Sequence, residues 1–171
     1  TAGQRCTTTR RLIVHEKVYA TVKENLIKAY AQLRIGNPLD PENHVGPLID
    51  EAAVKQYKQA LKRVKEEGGN LLVPGGVLAG KGYESGCYVK PAIAEVENHF
   101  EIVQHETFAP ILYLIKYSML DEAITYQNGV KQGLSSAIIT TNMNEMEQFL
   151  SAAGSDCGIA NVNIGTSGAE I

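Results

Sequence analysis

Short apolar runs alternate along this chain with longer stretches in which apolar residues recur every three or four positions. The runs of strand type cover residues 12–14, 71–73, 111–115, 137–139 and 159–162. Most of them are continuous, which is typical of strands buried on both faces of a sheet. The helical stretches cover residues 18–33, 54–64, 121–128 and 143–153. This alternation predicts an α/β domain with a mostly parallel sheet flanked by helices.

The composition narrows the class of protein further. With 171 residues, 44% of them hydrophobic, and no recognisable linker, the chain is expected to form one globular domain. Its net charge of -3 gives no field that would attract nucleic acid or an anionic membrane. The sequence contains no run of about 20 apolar residues that would span a bilayer.

The three cysteines, Cys6, Cys87 and Cys157, form no C-x-x-C pair. An odd number of cysteines without such pairs argues against a disulfide framework and against a zinc site, so we predict no metal. A reducing compartment is therefore expected. The cytoplasm is the first choice, and the mitochondrion stays open as an alternative.

Three motifs of known chemistry begin in this sequence but are not completed. Residues 75–82 nearly spell a phosphate-binding loop, but Gly82 stands where that motif needs Ser or Thr. His105 and Glu106 begin like the zinc motif H-E-x-x-H, but Ala109 occupies the place of the second histidine. The sequence also contains no G-x-G-x-x-G, so it carries no dinucleotide-binding fingerprint of its own.

The segment Gly3-Gln4-Arg5-Cys6 contains the best candidate nucleophile. A thiol becomes reactive when a nearby cation or a helix N-terminus lowers its pKa, and Arg5 is adjacent in sequence. Gly3 suits a tight approach of the backbone to a neighbouring segment. The alternative is a buried, inert cysteine, as free cysteines usually are. From the local sequence alone both interpretations stay open.

The same segment is the first of five motifs that follow one another in a fixed order. They are Gly-Gln-Arg-Cys at 3–6, Gly-Pro-Leu at 46–48, Glu-Thr-Phe-Ala-Pro at 106–110, Gly-Leu-Ser-Ser-Ala at 133–137 and Gly-Ile-Ala-Asn-Val-Asn at 158–163. Together they resemble the aldehyde dehydrogenase superfamily over nearly the whole chain. Within it, the sequence is most similar to the antiquitin-type subgroup, the α-aminoadipate semialdehyde dehydrogenases. Gly165 departs from that subgroup, where proline is expected, and should loosen the loop that follows.

This resemblance implies NAD-dependent oxidation of an aldehyde to a carboxylic acid. Cys6 would be the catalytic thiol that adds to the carbonyl group, and its backbone N–H would be one donor to the developing oxyanion. Glu106 would bind the ribose of the nicotinamide, and Phe108 would pack beside the nicotinamide ring. Taken singly, Glu106 would rather be a capping residue and Phe108 a core residue.

The resemblance also implies a substrate site. Arg5 would pair with the carboxylate of an aminoadipate-like aldehyde. The loop of Ser167, Gly168 and Ala169 would anchor the far end of the substrate, partly through backbone donors, because small residues allow a close approach. For Arg5 the alternative is an ion pair within the domain.

The resemblance further implies that residues 1–171 are a single but partial catalytic domain. We expect the NAD-binding domain and the C-terminal segment that helps to assemble a homo-oligomer, a tetramer, to be absent from this sequence, so the chain alone should be inactive. Three other functions stay open. They are a cysteine hydrolase that pairs Cys6 with a histidine, a non-catalytic scaffold, and an acylating relative that uses coenzyme A.

Overall fold

The computed structural model describes residues 1–167. Its elements in chain order are β1 (Arg11–His15), α1 (Glu16–Ala31), α2 (Glu51–Glu66), β2 (Asn70–Val77), β3 (Val89–Glu95), α3 (Glu101–Gln104), β4 (Ile111–Tyr117), α4 (Leu120–Asn128), β5 (Ser135–Ile138), α5 (Met143–Leu150) and β6 (Ile159–Val162). Every strand and helix predicted from the apolar pattern is confirmed, with ends displaced by a few residues. None of the helices in this part of the chain is long and apolar enough to cross a bilayer.

The main sheet contains four strands in the order β1-β4-β3-β2. β4 pairs in parallel with both β1 and β3, which confirms the prediction of a mostly parallel sheet. β2 runs antiparallel to β3, because a loop rather than a crossover helix joins these two strands. β4 lies inside the sheet and is buried over most of its length, as its continuous apolar sequence predicts.

The apolar pattern does not predict β3 (Val89–Glu95). Pro91 interrupts this run, and proline is rare inside a sheet because it lacks the N–H that a ladder needs. The strand tolerates proline here because Pro91 has no partner in either ladder: the pairing with β4 begins at Ala92, and the register with β2 pairs Lys90 and Ala92 but not Pro91. The pattern also misses α3 (Glu101–Gln104), since a single turn is too short to show a helical period.

Two hydrophobic clusters cover the two faces of the main sheet. The larger cluster packs α2 against one face and contains the buried Tyr57 and Ile115. The smaller cluster packs α1 against the other face and contains Tyr19 and Leu114. Leu114 and Ile115 are neighbours in β4, and successive side chains of a strand point to opposite faces. The main sheet therefore lies between two helical layers.

A polar group beside the smaller cluster fixes α1 on the sheet. Glu95 accepts hydrogen bonds from the hydroxyl of Tyr19 and the ammonium of Lys23, each at 2.8 Å. Burial alone would raise the pKa of Glu95, but these hydrogen bonds outweigh burial and hold the pKa below its ordinary value. The carboxylate therefore stays ionised at neutral pH.

β5 and β6 form a separate parallel pair. Asn163 follows β6 in the left-handed conformation, with a φ of 58°, and its side chain accepts a hydrogen bond from the N–H of Thr140. This contact is consistent with the predicted role of Asn163 in holding the end of the strand. Asn142 caps α5, as predicted, by accepting a hydrogen bond from the N–H of Asn144.

Candidate active site

The cysteine loop, defined here as residues 3–8, packs directly onto the backbone of the third motif. Gly3 has a φ of 72°, which glycine adopts without strain. A Cβ at Gly3 would lie 2.4 Å from the carbonyl carbon and oxygen of Ala109 and 2.8 Å from the nitrogen of Pro110. No side chain fits this space. The tight approach predicted for Gly3 is therefore confirmed, and the first and third motifs are in contact.

Gln4 links the first motif to the second. Its side-chain nitrogen donates to the carbonyl oxygen of Pro47 at 3.3 Å, and its side-chain oxygen accepts from the N–H of Ile49 at 2.8 Å. Leu48, between these two residues, is buried with 2% of its surface exposed. The glutamine of the first motif therefore has a structural role, because it anchors the cysteine loop to a buried segment.

The Cys6 thiol is free, exposed and lines a cavity of about 650 Å³. Glu106 and Phe108 line the same cavity, so the structure brings together the predicted nucleophile and both predicted cofactor-binding residues. Within residues 1–167, the backbone N–H of Cys6 donates to no acceptor. It is therefore available to a ligand, as a donor to an oxyanion must be.

Neither Glu106 nor Phe108 has the ordinary structural role that was its alternative. Phe108 is 39% exposed, so it is not a core residue. Glu106 is also exposed and lies beyond the end of α3. Its carboxylate lies 3.9 Å from the guanidinium of Arg10, which is the one ion pair it makes within the described residues.

Arg10 connects the cysteine loop to the loop of residues 105–109. On the cysteine loop it donates to the carbonyl oxygens of Gly3, Arg5 and Thr8, at 3.2, 3.1 and 3.0 Å respectively. On the other loop it donates to the carbonyl oxygen of Thr107 at 3.4 Å, and its guanidinium carbon lies 4.5 Å from the centre of the Phe108 ring. Burial lowers the pKa of Arg10, while the charge of Glu106 opposes that shift. The guanidinium stays protonated, as it does throughout proteins.

Arg5 is exposed and directly precedes Cys6. Its guanidinium makes no hydrogen bond or ion pair with the rest of the described chain. The alternative of an ion pair within the domain is therefore not seen among these residues. Arg5 is adjacent to Cys6 in the sequence, but it is not among the residues that line the cavity of Cys6, Glu106 and Phe108.

The predicted substrate loop is described only in part. Ser167 lies in an exposed turn, whereas Gly168 and Ala169 lie outside the described residues. In the same turn, the hydroxyl of Thr166 donates to the carbonyl oxygen of Thr7 at 2.6 Å. The end of the described chain therefore returns to the cysteine loop, and Ser167 follows a residue that is bound to it.

The two other thiols are bonded within the domain, which is consistent with their predicted structural role. The Cys87 sulfur lies 3.5 Å from the carbonyl oxygen of Ser85. The Cys157 sulfur accepts a hydrogen bond from the side-chain amide of Gln127 at 3.2 Å. Both cysteines are partly buried, so Cys6 is the exposed thiol of the three.

A cysteine hydrolase would need an imidazole paired with Cys6. Nδ1 of His15 accepts from the N–H of Lys17 and so caps α1, and Nδ1 of His44 accepts from the N–H of Arg34. In the part of the chain that the structure describes, no hydrogen bond joins Cys6 to a histidine. The same residues contain no group of three or more His, Cys, Asp or Glu placed to hold a metal ion.

Neither Arg10 nor Thr166 is among the residues predicted from the sequence to form the site. The contact from Arg10 to Thr107 spans 97 residues, and the contact from Thr166 to Thr7 spans 159. Local patterns carry no information on partners so far away. The sequence offers one indication of their role, which is that each of the two residues lies within a few residues of a recognised motif.

Comparison with family models gives the class of protein. Residues 1–171 match the aldehyde dehydrogenase family, and the chain belongs to that family. This match confirms the resemblance drawn from the five ordered motifs, and the α/β fold agrees with it.

Similar proteins refine this class. Aldehyde dehydrogenase family 7 member A1 of Pisum sativum is 47% identical over 171 residues, and alpha-aminoadipic semialdehyde dehydrogenase of Bos taurus is 49% identical over 172 residues. Each alignment covers 100% of this chain but only 33% and 31% of the respective relative, so the chain spans about a third of the length of these relatives. The resemblance to the antiquitin-type subgroup is thereby confirmed.

Solved structures agree with the fold. The structure of PnpE in complex with nicotinamide adenine dinucleotide matches with a TM-score of 0.90 at 27% identity, over 96% of this chain and 33% of that chain. PnpE comes from Pseudomonas sp. WBC-3.

Proposed function

We propose that this chain provides the thiol site of an NAD-dependent aldehyde dehydrogenase that oxidises α-aminoadipate semialdehyde, or a similar aldehyde, to its acid. The observation that carries the proposal is the cavity that the exposed Cys6 thiol shares with Glu106 and Phe108. The similarity to alpha-aminoadipic semialdehyde dehydrogenase of Bos taurus supports the choice of substrate.

The thiolate of Cys6 performs the covalent chemistry. Its addition to the aldehyde carbon forms a carbon–sulfur bond, and the carbonyl oxygen takes the π electrons and becomes an oxyanion. The free N–H of Cys6 donates to that oxyanion. Loss of a hydride from the same carbon restores the C=O bond and leaves a thioester on Cys6. Water then adds to the thioester, the carbon–sulfur bond breaks, the acid leaves, and Cys6 returns to the thiolate as one proton passes to the solvent.

NAD, when bound, supplies the acceptor for the hydride. The residues that line the cavity fit this cofactor. The exposed carboxylate of Glu106 offers acceptors for ribose hydroxyls, and the exposed ring of Phe108 offers an apolar face to a flat ring. The complex of PnpE with nicotinamide adenine dinucleotide supports the same choice of cofactor.

Arg5 is proposed to select aldehydes that carry an acid group. A planar guanidinium binds a carboxylate through two parallel hydrogen bonds, and the Arg5 guanidinium has no competing partner within residues 1–167. Ser167, with Gly168 and Ala169, is proposed to hold the far end of the substrate. The bond from Thr166 to the cysteine loop supports this role, because it brings Ser167 towards the thiol.

The assembly of the whole enzyme is also a proposal. Residues 1–171 are proposed to be one part of a catalytic domain, and residues outside this sequence are proposed to form the dinucleotide-binding domain. Both proposals are supported by the alignments, in which the chain spans about a third of the relatives' length. The complete enzyme is proposed to be a homo-oligomer, a tetramer, in a reducing compartment, either the cytoplasm or the mitochondrion. The three free thiols support such a compartment.

Protection of Cys6 by aldehydes tests the proposal without requiring turnover. The purified chain is treated with iodoacetamide, and labelling of each cysteine is followed by mass spectrometry in the presence of 6-oxohexanoate or hexanal. The two aldehydes have the same length, and only the first carries a carboxylate. We expect Cys6 to react about tenfold faster than Cys87 and Cys157, because it is the exposed thiol. We also expect 6-oxohexanoate to protect Cys6 at lower concentrations than hexanal.

Two arginine variants complete this experiment. Arg5→Gln should remove the preference for 6-oxohexanoate and keep the protection by hexanal. Arg34→Gln is the matched control, since Arg34 is an exposed arginine paired with Glu42 in a different loop. Equal labelling of the three cysteines, or no protection by either aldehyde, would refute the assignment of the thiol. Equal protection by both aldehydes would refute only the role of Arg5.

A further inference from the structure

We infer that Arg10 is a positioning residue of the thiol site, which locks the cysteine loop to the loop of residues 105–109. The inference rests on the proposed function, because that function gives the two loops a shared task. Cys6 belongs to the first loop, and Glu106 and Phe108 belong to the second. A fixed distance between them is what a thiol and a cofactor pocket need in order to act on one carbon atom.

The hydrogen bonds of Arg10 carry this inference. Its side chain is only 14% exposed and donates to three carbonyl oxygens of the cysteine loop and to that of Thr107. A charged donor strengthens each of these bonds relative to a neutral donor. Elsewhere in the described chain, no hydrogen bond joins residues 3–8 to residues 105–109. The contact of Gly3 with Ala109 sets the spacing of the loops, but it has no directional bond that would fix their orientation.

The geometry of the site requires a guanidinium rather than any cation. All three nitrogens of the Arg10 guanidinium donate to carbonyl oxygens. The ε nitrogen donates to Thr107, one terminal nitrogen donates to Thr8, and the other donates to both Gly3 and Arg5. The guanidinium carbon also lies 4.5 Å from the centre of the Phe108 ring, within the range of a cation–π contact. Lysine has one nitrogen on a flexible stem and cannot reproduce this fork. The neighbouring Arg11 does not share the task, because its guanidinium donates to two carbonyl oxygens near the end of α4.

Hydrogen–deuterium exchange of the chain measures whether the two loops are locked together. In Arg10→Ala we expect faster exchange, by about tenfold, of the backbone amides that are hydrogen-bonded in the two loops, while the amides of β4 are unchanged. These amides are those of Gln4, Arg5, Thr8, His105 and Ala109. Arg10→Lys should recover less than half of the lost protection. Free guanidinium ion at low millimolar concentration should restore the protection in Arg10→Ala, and urea at the same concentration should not.

Labelling of Cys6 gives a second readout that a purely structural role would not change. We expect the iodoacetamide rate of Cys6 to change several-fold in Arg10→Lys, which keeps the charge and the stem, while the rates of Cys87 and Cys157 stay the same. Arg34→Lys is the matched control and should change neither exchange nor labelling, because Arg34 contacts Glu42 in a separate loop. A Cys6 rate that is unchanged in Arg10→Lys would overturn the inference.

The exchange data can contradict the inference in two further ways. Faster exchange in only one loop would mean that no shared lock exists, and full recovery in Arg10→Lys would mean that charge alone suffices. The failure of this inference is distinct from the failure of the proposed function. If the two loops exchange independently but aldehydes still protect Cys6, the inference about Arg10 is wrong and the proposed function stands. If the two loops are coupled but aldehydes do not protect Cys6, the proposed function is wrong and the role of Arg10 in joining the loops stands.

Discussion

Replacement of Gly3 by alanine tests the contact between the cysteine loop and the third motif most directly. Alanine at a φ of 72° costs about 1–2 kcal/mol in the left-handed region. Its Cβ would also overlap the backbone of Ala109 and Pro110, at 2.4 and 2.8 Å. Because backbone atoms cannot rotate away, this overlap adds about 1–3 kcal/mol. We therefore expect Gly3→Ala to lower the free energy of unfolding by about 2–5 kcal/mol.

Gly86 provides a matched control for this variant. It has a φ of 68°, and a Cβ placed there meets nothing within 4 Å. Gly86→Ala therefore bears only the conformational cost, and the effect of alanine on the unfolded chain is the same for both variants. Urea unfolding followed by circular dichroism gives the two free energies. Gly3→Ala should be less stable than Gly86→Ala by about 1 kcal/mol or more. A difference below about 0.5 kcal/mol would refute the steric argument.

Two further changes test the supports of the site and of the sheet. Gln4→Glu loses the donor to Pro47 and turns a carboxylate towards a carbonyl group, so the free energy of unfolding in urea should fall by about 1–3 kcal/mol; an unchanged value would mean that this bond contributes nothing. Glu95→Gln tests the ion pair with Lys23. Because the pKa of Glu95 is lowered on folding, its stabilisation is full above the pKa of the unfolded chain and is lost as the pH falls through the folded value. The stability difference between the unmodified chain and Glu95→Gln should therefore be largest at neutral pH and shrink below pH 4.5, and a difference independent of pH would contradict this assignment.

The elements could be predicted where their signal is local. The spacing of apolar residues in α2 and the continuous apolar run of β4 depend only on neighbours a few positions away, so the sequence reveals both. The pairing of strands depends on distant partners. Pro91 interrupts the apolar run of β3, so the sequence does not predict this strand. Only the pairing of β3 with its neighbouring strands explains why proline is allowed there. The antiparallel direction of β2 likewise follows from the loop that joins it to β3.

The residues of the site likewise divide into those with a local signal in the sequence and those without one. Cys6, Glu106 and Phe108 could be predicted because they stand in motifs that resemble a known family, and the structure places all three on one cavity. The adjacent Arg10 and Arg11 are the same residue type, yet one binds the cysteine loop and the other binds α4. The sequence does not distinguish them. The difference arises from where β1 begins, since Arg11 is the first residue of that strand and Arg10 precedes it.

The contact of Gly3 with Ala109 also has a consequence for folding during synthesis. The ribosome releases the cysteine loop about a hundred residues before it releases the backbone of Ala109 and Pro110, on which that loop packs. Closing so long a segment costs entropy that only the assembled sheet can offset. Until β4 has docked, the cysteine loop lacks the backbone on which it packs in the folded chain. Cys6 is therefore synthesised well before the segment that fixes the conformation of its loop.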